Sequence, residues 1–331
     1  MKIYQTINIG NKYEALEKEI QLLSSMEIDG IRFNLCKYSY DEISEACESI
    51  LPIIRPYSNR YHFIFDLPYP SNKSRIVSFN IPEGMVKEGQ VYYIRKYKEE
   101  EKEQPNTIYV QIEAFEEKIL EQGILYYGDG ECAFTINKIE NAQIEVTATG
   151  DFKIHLNKAI MCGLIYNEQK NYEVANKILS SDCVKHPLFL LSFVTNKEQI
   201  DKFREQVSSL QDYGIISKIE AVSDGETIKE IIEASDGGLL ARGDMALLNP
   251  ITEIMNISRF VSKYCVNEDK RLFLATDVLT SLARSGFPNR ADIVDLCFAK
   301  ELECTDVIIP YGYKQKELFI KYINMFFSKQ D

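Results

Sequence analysis

Two apolar stretches in the second half of the chain carry charged residues that could do chemistry. The first, Gly214–Glu220, contains Lys218, and the second, Gly238–Asp244, contains Arg242. Each is typical of a strand that ends in charge, although a buried parallel strand is normally a nearly continuous apolar run. Carboxylates are the ligands that hard divalent cations prefer, and basic side chains suit an anionic substrate. The pattern therefore predicts a divalent metal beside an anionic substrate.

These stretches belong to a longer alternation of strand-like and helix-like segments. The strand-like runs are Thr6–Gly10, Asp29–Leu35, Tyr61–Leu67, Phe189–Val194, Gly214–Glu220, Gly238–Asp244, Arg271–Thr276 and Asp306–Pro310. The amphipathic stretches are Tyr13–Met26, Tyr40–Ile54, Asn196–Leu210, Asp224–Ala234, Asp292–Leu302 and Gln315–Phe327. Eight strand-like runs with helices between them favour an α/β fold of the (β/α)8 TIM barrel type, with a doubly wound open sheet as the alternative. In either fold the active site lies at the carboxyl ends of the strands. The charged residues at these strand ends would therefore lie together at one edge.

One segment, residues 68–158, breaks the alternation because it contains no convincing long helix. Its β-type runs are Val91–Ile94, Ile108–Ile112, Ile124–Tyr127, Phe134–Ile136 and Ile144–Ala148. Turns rich in glycine, asparagine and aspartate separate several of these runs. We therefore expect residues 1–67 and 159–331 to form the barrel, with a small β domain inserted after the third barrel strand.

Composition limits the possible partners. The chain has 331 residues and a net charge of −12, which argues against nucleic acid and anionic membranes because both attract basic proteins. A small anionic substrate is still compatible, since a local group of basic residues and a metal can dominate one pocket. No apolar run reaches the roughly 18 residues of a membrane span, and the N-terminal segment lacks the apolar core of a signal peptide. We expect a cytoplasmic protein.

Disulfides and zinc are not predicted. The eight cysteines are scattered without a CxxC pair, and the three histidines show no ligand spacing. Scattered cysteines in a chain of this length indicate reduced thiols rather than a disulfide framework. Without paired cysteines the pattern also disfavours a structural zinc site.

Residues 215–244, IISKIEAVSDGETIKEIIEASDGGLLARGD, resemble the central motif of the pyruvate kinase family. Shorter matches are Arg32–Asn34 on the second strand, Phe65–Asp66 at the end of the third, Tyr127–Gly130 in the inserted segment, Ala275–Ser281 after the seventh strand, and Pro288–Asp292 before the next helix. The resemblance implies a barrel with a β domain inserted after its third strand, in agreement with the segmentation. It also implies a phosphotransferase that uses phosphoenolpyruvate or pyruvate enolate, with ADP or another phosphoryl acceptor.

The resemblance also implies roles for individual side chains. Glu220 and Asp244 would be the ligands of Mg²⁺ or Mn²⁺, and two carboxylates suit a hard cation that keeps waters. Lys218 would stabilise charge beside the transferring phosphoryl group and the enolate oxygen. Arg32 would clamp the phosphate with its fork of donors. Thr276 would lie near the methylene carbon, in the path of the proton that the enolate receives.

Residues at the end of the sixth strand would bind the substrate, and one residue of the inserted domain would belong to a lid. Backbone N–H groups of Ala241, Arg242 and Gly243 would hold the substrate carboxylate at a helix N-terminus. The side chain of Arg242 would support the metal ligands by pairing with Asp66 or Glu220. Asp129 would belong to an Asp-Gly turn of the lid.

The chain departs from the family at the monovalent-cation site. Asn34 and Asp66 remain, but Cys36 stands where the family has a serine, and a thiol is a poor ligand for K⁺. If Arg75 takes the role of the family arginine, Lys73 falls where a glutamate is usual. Potassium-independent members of the family carry lysine there. We therefore predict that the Lys73 ammonium replaces K⁺ and that the protein does not require this ion.

The C-terminal end also differs from the family pattern. After the eighth strand the chain reads Pro310–Tyr313 where the family has Ser-Gly-Glu-Thr, and one more helix follows. The resemblance therefore predicts that the family's C-terminal allosteric domain is missing, together with the usual regulation by sugar phosphates. A homo-oligomer through barrel helices is a further prediction.

Three functions stay open on the sequence alone. The first is a pyruvate kinase-like phosphotransferase. The second is a lyase or aldolase of the wider group of phosphoenolpyruvate-binding barrels, which also hold a metal with a glutamate and an aspartate but do not normally carry the inserted domain. The third is a non-catalytic relative, although a binding protein has no need of the whole set of charged residues.

Overall fold

The structure, a computed structural model, describes residues 1–7, 13–36, 38, 40–71, 74–99, 102–112, 115, 120–121, 123–128, 130–140, 143–163, 167–207, 211–310 and 316–327. The chain forms two units. One consists of Met1–Pro68 and Glu168–Asp331, and the other of Tyr69–Asn167.

Strands are numbered along the chain. The first unit contains β1 Lys2–Ile7, β2 Gly30–Asn34, β3 His62–Asp66, β13 Leu188–Leu191, β14 Gly214–Ile219, β15 Gly237–Ala241, β16 Arg271–Ala275 and β17 Asp306–Ile309. The second unit contains β4 Ser74–Asn80, β5 Met85–Val86, β6 Val91–Lys96, β7 Thr107–Gln111, β8 Ile124–Tyr127, β9 Cys132–Glu140, β10 Gln143–Ala148, β11 Phe152–Lys153 and β12 Ala159–Ile160. The α-helices are Tyr13–Leu23, Tyr40–Ile54, Glu168–Ser180, Glu198–Gln206, Gly225–Ala234, Arg242–Leu248, Ile254–Asn267, Thr280–Ser285, Arg290–Glu301 and Lys316–Phe327, with single 3₁₀ turns at Arg55–Tyr57, Pro82–Gly84 and Ile251–Glu253.

The strands of the first unit close into a parallel barrel in the order β1-β17-β16-β15-β14-β13-β3-β2. Closure depends on β1, where Gln5 lies in register with Ile31 of β2 and with Ile309 of β17. The predicted (β/α)8 barrel is therefore confirmed. The open doubly wound sheet is wrong, because an open sheet leaves two strand edges unpaired.

Side chains of the barrel strands alternate between the interior and the surrounding helices, because successive strand residues face opposite sides. On β14, Ile216 belongs to the interior cluster, whereas Ile215 and Ile219 pack in the layer between strands and helices. The interior cluster consists of Tyr4, Ile64, Leu188, Leu190, Ile216, Leu239, Ala241, Phe273, Ala275 and Ile308. The barrel is thus a packed core, and its polar side chains must lie towards the strand ends.

Several strand boundaries differ from the sequence prediction; β13, for example, ends at Leu191 rather than at Val194. β1 begins at Lys2 rather than at Thr6. β15 ends at Ala241 rather than at Asp244, and Arg242–Leu248 form a helix with this aspartate in the first turn. A carboxylate in the first turn is favourable because the N-terminal end of a helix carries partial positive charge. Arg242 and Asp244 therefore project from a helix and not from a strand.

Two long helices around the barrel were not predicted from the sequence, in addition to the short helices Arg242–Leu248 and Thr280–Ser285. Glu168–Ser180 has low mean hydropathy, since polar residues such as Asn171 interrupt its apolar face, yet Val174 and Ile178 are buried. The other is Ile254–Asn267, which buries Val261. Among the helices of the described residues, none is long and apolar enough to cross a membrane.

The second unit is a separate, smaller barrel. Its strands close in the order β10-β6-β7-β4-β12-β8-β9, while β5 and β11 form a two-stranded sheet. The unit extends to residue 167 rather than to 158, because Ala159–Ile160 pair with β4 and β8 inside this sheet. Phe134 lies at its centre, with edge-on ring contacts to Tyr92 and Phe152.

Candidate active site

The carboxyl ends of four neighbouring barrel strands carry polar side chains that contact one another. Lys218 on β14 lies two residues after the interior residue Ile216, so strand alternation turns it towards the barrel axis. Its Nζ lies 3.1 Å from Glu220 Oε1 and 3.6 Å from Asp66 Oδ1, and it donates a hydrogen bond of 3.0 Å to Ser192 Oγ. The ammonium group is therefore held between two carboxylates.

The charge state of Lys218 follows from these contacts. Burial favours the neutral amine and lowers its pKa, but the Asp66 and Glu220 carboxylates outweigh this effect and hold the pKa above its ordinary value. The side chain therefore carries a full positive charge across the physiological pH range.

Arg32 and Asp66 form a second ion pair beside Lys218. Arg32 Nε donates to Asp66 Oδ2 at 3.2 Å, Nη2 donates to the same oxygen, and Nη1 donates to Thr6 Oγ1 at 3.1 Å. Burial would raise the pKa of Asp66, but Lys218 and Arg32 together hold it below its ordinary value. Asp66 is thus an ionised carboxylate compensated by two cations. Arg32 keeps 18% of its side chain exposed, which leaves part of the guanidinium accessible to a ligand.

The two carboxylate oxygens of Glu220 have different partners. Its Oε2 accepts a hydrogen bond of 2.7 Å from the Phe193 N–H, and its backbone carbonyl accepts one of 2.7 Å from Asn249 Nδ2. Oε1 is buried and faces the Lys218 ammonium, but within the described residues it receives no hydrogen bond of good geometry. Burial, together with the charge of Asp244, raises the pKa of Glu220 to about 7, although the nearby ammonium opposes this rise.

The carboxylates of Glu220 and Asp244 fit a divalent cation. The negative charge of Asp244 raises the pKa of both Lys218 and Glu220, so this carboxylate acts on the same small region. Over the part of the chain that the structure covers, no group of three or more His, Cys, Asp or Glu side chains is arranged around one point. Two carboxylates suit Mg²⁺ or Mn²⁺, which complete their coordination with water and substrate oxygens. They do not suit a closed structural zinc site.

The predicted partner of Arg242 is wrong. Its guanidinium contacts neither Asp66 nor Glu220 but forms a two-pronged ion pair with Asp295 of the helix Arg290–Glu301, with Nη2 3.0 Å from Oδ2. The helix that follows β15 turns the Arg242 side chain away from the barrel axis, and this explains the difference. The same guanidinium donates to the carbonyl oxygens of Ala275 at 3.4 Å and Thr276 at 2.6 Å.

Thr276 occupies an unusual backbone conformation directly after β16. Its φ is 68°, and the following Asp277 has a φ of 61°. A β-branched residue with positive φ is a genuine outlier that costs about 1–3 kcal/mol. The side chain is exposed and lies against Gly243, where a Cβ atom would approach Thr276 Cγ2 to 2.9 Å. The loop after β16 and the start of the helix after β15 therefore fit closely together.

We expect Gly243→Ala to displace Thr276 and to destabilise the fold. A real Cβ almost never comes within 3.0 Å of another heavy atom, and the atom in the way belongs to a stiff β-branched side chain. Overpacking of this kind costs about 1–3 kcal/mol of unfolding free energy. Urea denaturation would measure this loss. Gly150→Ala is the matched control, since a Cβ there meets nothing within 4 Å. Equal behaviour of the two variants would contradict the close contact at Gly243.

The residues predicted for the monovalent-cation region are only partly described. Asn34 Oδ1 accepts a hydrogen bond of 3.1 Å from the Cys36 N–H, and Cys36 Sγ lies 3.3 Å from the Leu67 carbonyl oxygen. Burial, with the charge of Asp66, raises the pKa of the Cys36 thiol to about 12, so this thiol is neutral and not a nucleophile. Arg75 lies in the second unit. Lys73 and Asp129 fall outside the described residues.

Four contributors to the site were missed by the sequence reading. Ser192 binds Lys218, and Asn249 binds the backbone of Glu220. Thr6 binds Arg32, and Asp295 binds Arg242. For Ser192 a usable signal exists, since it is the first polar residue after a wholly apolar strand. The other contacts depend on the way the barrel closes, and no local pattern marks them.

These observations define a class of protein, namely a parallel (β/α)8 barrel with a small β barrel inserted after its third strand and buried ion pairs at the carboxyl ends of its strands. Within this class the chain belongs to the pyruvate kinase family, because residues 2–316 match the family described as "Pyruvate kinase, barrel domain".

Individual relatives match shorter stretches. The chain is 37% identical to the pyruvate kinase of Clostridium perfringens over 123 residues, which are 37% of this chain and 26% of that protein. It is 38% identical to the pyruvate kinase of Thermoplasma acidophilum over 109 residues, which are 33% of this chain and 20% of that protein. A crystal structure of pyruvate kinase from Pyrobaculum aerophilum superposes with a TM-score of 0.74 at 20% identity, covering all of this chain and 73% of that one. The structural likeness shows a common fold, and the aligned stretches span about a quarter or less of the sequence relatives.

Proposed function

We propose that the protein is a pyruvate kinase-like phosphotransferase that moves a phosphoryl group between phosphoenolpyruvate and ADP, with a divalent metal at the barrel mouth. The observation that carries this proposal is the Lys218 ammonium, buried between the Asp66 and Glu220 carboxylates. A permanent buried cation of this kind suits a reaction in which negative charge moves between phosphate and enolate.

In this proposal Glu220 and Asp244 hold Mg²⁺ or Mn²⁺, which supplies charge neutralisation to substrate oxygens. Lys218 stabilises the negative charge that develops on the enolate oxygen as the bond to phosphorus breaks. Arg32 binds the phosphoryl oxygens with the part of its guanidinium that Asp66 and Thr6 leave accessible. These side chains need little rearrangement when the substrate binds, because ion pairs already fix the charged ones.

The remaining steps involve the loop after β16 and the end of β15. Thr276 lies in the path of the proton that the methylene carbon of the enolate receives, so that the product is pyruvate. The backbone N–H groups of Ala241, Arg242 and Gly243 orient the substrate carboxylate. The role of the inserted unit as a lid, with Asp129 on its Asp-Gly turn, stays a prediction, as do assembly through barrel helices and a cytoplasmic location.

A turnover assay tests the proposal. Purified protein is incubated with phosphoenolpyruvate, ADP and Mg²⁺, and the formation of pyruvate and ATP is followed together. We expect both products in equal amounts and neither without Mg²⁺. Binding of phosphoenolpyruvate in the presence of Mn²⁺ without ATP formation would point to another acceptor or to a lyase. Absence of binding would refute the proposal and favour a non-catalytic relative.

We also expect turnover to be independent of K⁺. Asp66 is already compensated by Arg32 and Lys218, and the thiol of Cys36 is a poor K⁺ ligand. Rates in K⁺ and in tetramethylammonium should therefore agree within about twofold. The variant Cys36→Ser should respond more strongly to K⁺, because it restores an oxygen donor beside Asp66. A clear K⁺ requirement of the unmodified protein would remove this prediction.

A further inference from the structure

Asp295 lies on the outer helix Arg290–Glu301, yet it makes the principal ion pair of a residue at the barrel mouth. Its carboxylate receives Nη1 of Arg242 on Oδ1 and Nη2 on Oδ2, and both side chains are about four-fifths buried. Two parallel N–H donors on one carboxylate fix the plane of the guanidinium as well as its position. The direction in which Arg242 points is therefore set by Asp295.

The fixed guanidinium in turn holds the loop that carries Thr276. Its Nε donates to the carbonyl oxygen of Ala275 at 3.4 Å, and Nη2 donates to that of Thr276 at 2.6 Å. These carbonyls flank the point where the backbone leaves β16 and enters positive φ. Strained backbone of this kind persists only where its surroundings over-determine it. The hydrogen bonds from Arg242 supply that constraint on one side.

A second carboxylate fixes the other end of the same loop. The buried Asp292 accepts hydrogen bonds from the N–H groups of Ser281 at 3.2 Å and Leu282 at 3.0 Å, and it also closes the capping box with Asn289. The helix Arg290–Glu301 therefore holds the loop directly through Asp292 and indirectly through Asp295. Between these two anchors the Thr276 side chain packs against Gly243.

We propose that Asp295 is a positioning residue for the reaction at Thr276, acting through Arg242. Without its carboxylate, Arg242 loses the partner that sets its plane, and the Thr276 carbonyl loses a fixed donor. The loop then relaxes away from positive φ, and the threonine hydroxyl leaves its place above Gly243. The inference rests on the proposed function for its catalytic consequence, but its structural consequence does not depend on turnover.

The test is Asp295→Asn, with Glu48→Gln as the matched control because Glu48 forms an exposed ion pair with Lys177 at 2.8 Å on the outside of the barrel. In Asp295→Asn we expect kcat for phosphoenolpyruvate to fall about 10- to 100-fold, the size of effect that follows a misplacement of about 1 Å. The KM for phosphoenolpyruvate and the affinity for Mn²⁺ should stay within about twofold, since neither metal ligand contacts Asp295. Asp295→Glu should recover part of kcat, because it restores the charge.

A second measurement follows hydrogen exchange of residues 275–282 by mass spectrometry. We expect faster exchange in Asp295→Asn and an unchanged pattern in Glu48→Gln. Unchanged exchange of this segment in Asp295→Asn overturns the proposal, as does a variant whose KM rises while kcat stays constant. Because exchange needs no turnover, it decides the positioning role even if the protein does not transfer phosphoryl groups.

Discussion

Lys218→Met is expected to lower phosphoryl transfer by at least about a thousandfold. Methionine keeps the length and apolar contacts of the side chain but removes the positive charge that Lys218 places beside the enolate oxygen. The native ammonium is already buried between Asp66 and Glu220. No solvent cation can take its place with the same geometry. Coupled detection of pyruvate under saturating substrate would measure the loss, and full activity of the variant would refute the role of Lys218.

The same substitution should change the pH dependence of stability. It leaves buried carboxylates without a cation, a change that usually costs about 3–5 kcal/mol. Glu220 can limit this cost by taking up a proton, because its pKa is already raised to about 7 and rises further without Lys218. A carboxyl whose folded-state pKa lies above its unfolded value stabilises the protein at low pH and loses this effect as pH rises. The variant should therefore lose more unfolding free energy, relative to the native protein, at pH 8 than at pH 6.

Lys177→Met is the control for both effects. Lys177 is also paired, with Nζ 2.8 Å from Glu48 Oε1 and from the Ser44 carbonyl, but this contact lies on the outer helices. We expect this variant to retain turnover and to show no added pH dependence. If the two lysine variants behave alike in urea denaturation at pH 6 and pH 8, the proposed proton uptake by Glu220 is wrong.

The second large effect concerns the metal. Glu220→Gln should weaken Mn²⁺ binding by at least about 100-fold and abolish turnover, because an amide oxygen replaces the carboxylate that faces the cation. The fold should survive, since glutamine can still accept the Phe193 N–H and resembles the protonated native carboxyl, whose pKa is raised to about 7. Titration with Mn²⁺ followed by electron paramagnetic resonance would measure the affinity. The exposed Glu226 lies nearby in sequence, and Glu226→Gln is expected to leave the affinity unchanged.

Mn²⁺ binding to the native protein should also depend on pH. A protonated Glu220 cannot serve as a ligand, so protons compete with the metal below the pKa of about 7. The affinity should fall by up to about tenfold for each pH unit below that value and level off above it. In Glu220→Gln this slope should disappear. An affinity of the native protein that stays constant between pH 5.5 and pH 8 would contradict the assignment of Glu220 as the titrating ligand.

The barrel could be predicted from the sequence because its strands are short apolar runs. Such runs can be recognised without knowledge of the tertiary structure. Lys218 and Glu220 could be predicted for a related reason. Residues two apart on a strand share a face, so both had to point into the same space. The helix that begins at Arg242 was harder to place, since the apolar run before it continues smoothly into the charged residues.

Other features depend on distant parts of the chain and leave no local signal. The two-residue strand Ala159–Ile160 is recognisable only because β4 and β8 lie on either side of it. The pairing of Arg242 with Asp295 joins residues 53 positions apart, on a helix whose own pattern marks only the capping box around Asp292. Charge alone suggested Asp66 or Glu220 as the partner of Arg242. The direction of the Arg242 side chain decides the pairing, and this direction follows from the helix Arg242–Leu248.

The pairing of β1 with β17 has a consequence for synthesis on the ribosome. Gln5 on β1 can pair with Ile309 on β17 only after Ile309 has been synthesised. At about 5–20 residues per second, synthesis of the intervening chain takes on the order of 15–60 s. Until then one edge of β1 lacks its hydrogen-bonding neighbour and can pair with other nascent chains. The smaller β barrel has no such delay, because all its strands lie between residues 74 and 160. The nascent protein should therefore carry a finished small barrel beside an unclosed large one, and protection of β1 by a chaperone would be most valuable during that interval.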